Sequence, residues 1–153
     1  VETNKPLEDK YHIRFEFTSS VDKDWIYADP ERLTQVMTNL MSNAAKFSFP
    51  EAIVQITLEE KDYYYRISVI DHGTGIPKEF RKHIFEKFAQ ADSSDSRKQG
   101  GTGLGLSICK SIIDKMGGKI GFKTHSEHGT VFFIDLPKWD EKCKQDDFIT
   151  FGI

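Results

Sequence analysis

The sequence has little of what would mark it for a membrane, for nucleic acid or for a disulfide framework. No apolar run approaches the roughly 20 residues that a membrane-crossing helix needs, and no signal-peptide pattern opens the chain. The domain itself is therefore expected in water, on the cytoplasmic side, while a longer parent could be anchored in a membrane. No long basic block occurs and the formal net charge is -3. Both argue against a nucleic-acid partner, whose phosphates favour a dense Lys/Arg face. Lys138, Lys142 and Lys144 stand among acids and read as a solvated tail. The two cysteines, Cys109 and Cys143, are too few and too far apart for a zinc site or a disulfide framework, and fit a reducing compartment.

What is present is an ordinary globular composition, 38% hydrophobic and 29% charged over 153 residues. That is enough chain for one domain with its own core. Residues 1–11 are polar, contain Pro6 and read as a linker. Residues 12–17 alternate as a strand does. Asp29-Pro30 is a helix start, an N-cap followed by a proline in the first turn. Leu33, Val36, Met37, Leu40, Met41, Ala44 and Phe47 then recur at helical spacing up to about Ser48, before Pro50. Residues 52–59 and 63–70 read as two strands about a tight turn, and residues 77–85 as a short helix. Residues 86–103 are polar and Ser-, Asp- and Gly-rich. An irregular loop of that length inside a compact domain is usually functional, typically a lid. A second long helix over residues 105–116 stops at Gly117-Gly118, and strands at 119–124 and 130–136 close the domain. Residues 138–153 read as a tail or a further linker.

Short turns between neighbouring strands imply antiparallel pairing. The order predicts an α/β fold of the α+β kind: a two-layer sandwich with a mixed, mostly antiparallel sheet of about five strands on three helices, not a doubly wound parallel sheet.

Three segments carry candidate chemistry. On the first long helix Asn39, Asn43 and Lys46 fall on one row bordering the apolar stripe. Amide oxygens are neutral, hard ligands that suit magnesium, and a lysine can meet phosphate as a point charge; a merely solvated helix face would look similar. In the strand before Asp71, Tyr65, Ile67 and Val69 share a face that Asp71 continues. A carboxylate aimed at an apolar layer needs a donor, and an exocyclic amine such as adenine's would serve. Gly73 and Gly75 would let backbone approach a flat ligand. The alternative is a strand-ending turn in which the aspartate bonds local backbone. Third, Gly100, Gly101, Gly103 and Gly105 cluster just before the second long helix, a ready anion site unless the run is only a flexible turn. It has neither the dinucleotide spacing nor a Walker Gly-Lys-Ser/Thr. Beside these, Phe85 and Phe88 could anchor the root of the long loop, and Thr130, on the face of Phe132, Ile134 and Leu136, needs a hydroxyl partner.

Taken together and in order, these segments resemble the N, G1, F and G2 boxes of the histidine-kinase branch of the ATPase superfamily shared with DNA gyrase, the Hsp90 chaperones and the MutL repair proteins. The match covers about residues 12–137 and implies the ATP-binding (Bergerat) fold. It implies that Asn43 is a magnesium ligand with Asn39 beside it, and that Lys46 contacts phosphate. Asp71 would take the adenine amine, partly through a water shared with Thr130. Gly73 and Gly75 would shape the adenine floor, with Ile76 and Leu106 lining the pocket. Gly101, Thr102, Gly103, Leu104, Gly105 and Leu106 would cradle phosphates, and residues 86–103 would form a mobile ATP lid carrying Arg97 and Lys98. Many members place arginine where Gln90 stands here, and Gln90 cannot supply that charge. None of His12, His72, His83, His125 and His128 has the family's His-Glu-x-x-x-Pro setting, so the phospho-acceptor is expected on a dimerisation hairpin outside this chain.

The resemblance thus implies a domain that binds Mg-ATP as a monomer. Within a homodimeric parent it passes the γ-phosphate to a histidine and on to a response-regulator receiver domain. Two other readings stand beside it. One is a nucleotide-binding regulatory module without transfer activity, suggested by Gln90. The other is a gyrase- or chaperone-type ATPase, which would want a glutamate base where Gln35 or Asn39 stands.

Overall fold

The computed structural model describes residues 4–21, 25–88, 104–125, 128–138 and 150–152; for Trp25, Tyr27, His125 and residues 150–152 only the backbone is described. Gln90, Arg97, Lys98, Gly101, Thr102 and Gly103 therefore lie outside the described residues, as do Lys142, Cys143 and Lys144.

Helix α2 (Pro30–Phe47) begins as its sequence dictates. The Asp29 carboxylate accepts from the backbone N–H groups of Glu31 and Arg32 at 3.0 and 3.2 Å, and Pro30 occupies the first turn. Its apolar stripe buries Val36, Leu40, Met41, Ala44 and Ala45. Helix α3 (Gly105–Lys115) buries Cys109, Ile112 and Ile113, and stops where Gly117 turns to a φ of 71°. The two helices pack side by side on one face of a five-stranded sheet. Its strands are β1 (Arg14–Ser19), β3 (Ile53–Glu60), β4 (Tyr64–Ile70), β5 (Lys119–His125) and β6 (Gly129–Pro137), in the spatial order β1-β3-β4-β6-β5. Val54, Val69, Ile134 and Leu136 from the sheet meet Val36, Leu40 and Ile113 from the helices, all of them essentially solvent-free. Each such side chain contributes about 1.5–3 kcal/mol of transfer free energy. A separate pair, β2 (Trp25–Tyr27) and β7 (Thr150–Gly152), lies beside the end of β6 through an Ile26–Lys138 bridge.

The two-layer, mostly antiparallel α/β sandwich of the sequence reading is the observed architecture. Three local expectations change, and the mixed sheet that was expected takes its parallel ladder at the β1–β3 edge. Residues 1–11, expected as a linker, carry helix α1 (Lys5–Tyr11), with proline in its first turn and Glu8 reaching over to accept the Phe15 N–H at 2.8 Å. His12, expected in the first strand, instead caps α1 with φ 54°, so β1 starts at Arg14. β1 pairs with β3 in parallel, because α2 crosses over between them, whereas the remaining ladders are antiparallel. The short helix expected at 77–85 is a 3-10 turn, Lys78–His83.

On the outer face of the sheet Arg66 forks onto Asp135, Nε to Oδ1 at 2.7 Å and Nη2 to Oδ2 at 2.8 Å, and lies 4.1 Å from the Phe133 ring centroid. This planar, half-buried pair lies on the face of the sheet opposite α2 and α3.

Candidate functional site

The C-terminal half of α2 touches two glycine segments at once. At its near end Asn39 lies against the start of α3: a methyl group on Gly105 would sit 3.7 Å from Asn39 Oδ1. At its far end the turn after β4 is pressed onto the last residue of the helix. A methyl group on Gly73 would fall 1.9 Å from the Phe47 carbonyl oxygen, so no other residue fits there without moving backbone. A Ser48–Gly73 bridge and a 3.3 Å bond from the Phe49 N–H to the His72 carbonyl complete the seam. Between these two contacts Asn43 and Lys46 lie half-exposed on the same row. Eight residues of helix, about 12 Å, separate the two glycine segments, roughly the reach from a purine to the end of a triphosphate tail.

Asp71 ends β4 on the core face, as the period-two argument requires, and is 5% exposed. Its carboxylate is held by donors rather than by a counter-charge. The Thr130 N–H donates to Oδ1 at 3.1 Å and the Gly73 N–H also pulls on the carboxylate, while the Asp71 N–H returns to the Thr130 carbonyl at 2.9 Å. Burial nevertheless dominates and pushes the carboxyl up from 3.8 to about 6, against the pull of those two N–H groups and of His72. Gly129, at φ 91°, comes so close that a methyl group there would meet the Asp71 carbonyl oxygen at 2.1 Å. The backbone around this acid is thus fixed from both sides.

The remaining expectations divide as follows. Ile76 and Leu106 are half-buried and pack on the core. Gly75 takes φ 73°. Leu104 and Gly105 open α3, with Ser107 Oγ bonding the Leu104 carbonyl at 2.8 Å. The Thr130 hydroxyl finds its partner in the hydroxyl of Thr124 at 3.0 Å. Cys109 is fully buried, as expected of a core residue. Of the two phenylalanines expected to root the long loop, only Phe85 does so, its ring 6.0 Å from that of Phe122. Phe88 is 73% exposed at φ 62°, because the chain has already turned outward there. Gln35, one of the positions where a gyrase-type base would stand, is exposed and accepts from Arg32 Nη1 at 3.2 Å. In the sequence Phe47 reads only as the last member of the apolar stripe. It is half-exposed, its ring 5.4 Å from Lys46 Nζ and its carbonyl against Gly73, so it offers an aromatic surface between Lys46 and the turn after β4. An aromatic at the stripe's edge, just before the helix stop, was the available signal.

A buried acid on a strand end and a glycine-led helix start, both set against one amide-bearing helix, are the parts of a nucleotide-binding domain. The model of the histidine kinase-, DNA gyrase B- and HSP90-like ATPase family matches residues 28–140, and the chain belongs to that family. Within it the chain is a histidine-kinase catalytic domain. It is 38% identical over 130 residues to the sensor protein SrrB of Staphylococcus aureus, covering 85% of this chain and 22% of that protein. The chain therefore spans about a fifth of the length of the curated relatives it matches. Among solved structures it is similar to the catalytic domain of the histidine kinase ThkA, at 33% identity and a TM-score of 0.77, covering 90% of this chain and 86% of that one. It is also similar to ThkA in complex with the response regulator protein TrrA, at 34% identity and a TM-score of 0.73, covering 92% and 39%. Among the described residues no helix is long and apolar enough to cross a membrane.

Proposed function

We propose that this chain binds ATP with magnesium in the cleft between α2 and the turn after β4. In a longer, homodimeric parent it delivers the γ-phosphate to a histidine on a helical hairpin outside this chain, and from there to a response-regulator receiver domain. The contact of one helix with both glycine segments carries this reading. The purine lies at the Asp71–Gly73 end beside Gly75 and Ile76, its amine donating to the carboxylate. The phosphates lie toward Asn39, Leu106 and the start of α3, where Gly101, Thr102, Gly103, Arg97 and Lys98 add further donors. Residues 12–137 are the ATP-binding unit, residues 1–11 with α1 its junction to the hairpin, and residues 138–153 a tail or linker.

Magnesium fits the donor set. The half-exposed Asn43 on α2 would hold the ion through its amide oxygen, a neutral hard ligand, with phosphate oxygens and water supplying the rest. When bound it neutralises phosphate charge. The protein's own part is positioning: Asn39 and Asn43 fix the phosphate end, Lys46 adds a positive charge, and Asp71 fixes the purine end. The test is to join the chain to the parent's hairpin and incubate with γ-labelled ATP. Acid-labile label on the hairpin histidine is expected. Fast hydrolysis by the isolated chain, with no labelled histidine, would instead favour an ATPase of the gyrase type.

A further inference from the structure

Thr124, in the edge strand β5, lies outside every segment that drew attention in the sequence, yet it joins three parts of the cleft. Its Oγ1 accepts from the Ile76 backbone N–H at 2.9 Å, across 48 residues of chain. The same oxygen lies 3.0 Å from Thr130 Oγ1 and 3.3 Å from the Gly129 carbonyl oxygen. Thr124 and Thr130 are direct partners across the β5–β6 ladder, and the Thr130 N–H holds the Asp71 carboxylate. The Asp71 end of the turn is thus fastened by one threonine and its Ile76 end by the other, with the two hydroxyls bonded to each other.

A proton count fixes what the pair can do. Thr124 has one O–H and two lone pairs. One lone pair takes the Ile76 N–H. If the Thr124 proton goes to the Gly129 carbonyl, Thr130 must donate to Thr124 and keeps only lone pairs for the cleft. If it goes to Thr130, the shorter contact, the Thr130 proton stays free to donate beside Asp71. Either way the hydroxyl at 124 sets both the seat of Ile76 and the hydrogen-bond sense of Thr130.

We propose that Thr124 is a positioning residue for purine recognition, holding the Ile76 end of the turn and orienting the Thr130 hydroxyl next to Asp71. This rests on the purine reading of the cleft. The experiment titrates the wild-type chain, Thr124→Val and Thr124→Ser with ATP and with inosine triphosphate, which lacks the amine that Asp71 would accept. Amide hydrogen exchange at Ile76 is followed in parallel. The expectation is a protected Ile76 amide in the wild type and in Thr124→Ser, and an unprotected one in Thr124→Val. ATP affinity should fall roughly tenfold in Thr124→Val and stay within about threefold in Thr124→Ser, with inosine triphosphate changing much less than ATP. An Ile76 amide that exchanges freely in the wild type, or a serine variant as weak as the valine one, overturns the proposal. So does an equal loss for both nucleotides, which is what a purely structural role would give. If the wild type discriminates ATP from inosine triphosphate and Thr124→Val does so equally well, this inference fails and the purine reading stands. If the wild type does not discriminate at all, the purine reading falls first.

Discussion

Replacing Asp71 by asparagine separates recognition from stability, and the structure gives both magnitudes. The carboxyl titrates near 6 instead of 3.8 because it is buried. The folded chain therefore holds its proton more tightly than the unfolded chain, so this group favours folding below about pH 4 and loses that advantage as pH rises through 6. At pH 7 the ionised form costs the empty domain about 3 kcal/mol. That cost is already net of the pull of the backbone N–H groups; asparagine removes it and keeps an oxygen for them, but buries an amide NH2 that the empty domain leaves unmet, a penalty of about 1–3 kcal/mol. Unfolding stability at pH 7 should stay within about 1–2 kcal/mol of wild type, and the part of the wild-type gain between pH 7 and pH 5 that belongs to residue 71 should vanish. Binding moves the other way. With its oxygen kept by the backbone N–H groups, the asparagine turns an NH2 toward the purine amine, donor against donor. An unmet polar pair costs about 1–3 kcal/mol, or roughly ten- to a hundredfold in ATP affinity. Calorimetric titration with ATP and inosine triphosphate, and urea unfolding at pH 5 and 7, measure both effects. Unchanged ATP affinity, or an equal loss for both nucleotides, would refute the assignment of Asp71 to the amine.

Asn43→Ala should abolish the dependence of ATP affinity on magnesium; a wild type that binds equally well with and without the ion would already contradict the role given to Asn43. Gly73→Ala should cost at least several kcal/mol or prevent folding, since its methyl group would meet a backbone oxygen at 1.9 Å; a urea midpoint near wild type would show that the seam with α2 yields. Asp135→Ala should lose about 1–3 kcal/mol of stability by stripping Arg66 of its forked partner, while ATP affinity stays put because the pair lies on the face away from the cleft. A parallel loss of affinity would mean that the two faces are coupled.

The helices were legible because their signals are local. Asp29-Pro30 fixes one end of α2, Gly117 the end of α3, and apolar spacing names the buried stripes. Asp71 was legible for a similar reason, since period two carries the core face of β4 straight onto it. What escaped depends on distant partners. Helix α1 buries none of its own residues; it is tied down by the Glu8–Phe15 bond and by packing on α2. β2 is three residues long, with Ile26 buried against the sheet's end. The parallel β1–β3 pairing follows from where α2 crosses, not from either strand's composition. Phe88 looked like an anchor because spacing cannot show that the chain leaves the core after Phe85. Thr124 carried no signal at all, because its meaning comes from the register that sets it opposite Thr130.

The structure of this chain with a non-hydrolysable ATP analogue and magnesium tests the central claim most directly. The account predicts the purine amine within hydrogen-bond reach of the Asp71 carboxylate and the phosphate tail running along α2 toward Asn39, with the cation on Asn43. A nucleotide seated elsewhere, or one whose purine leaves Asp71 bonded only to its own backbone, would contradict it.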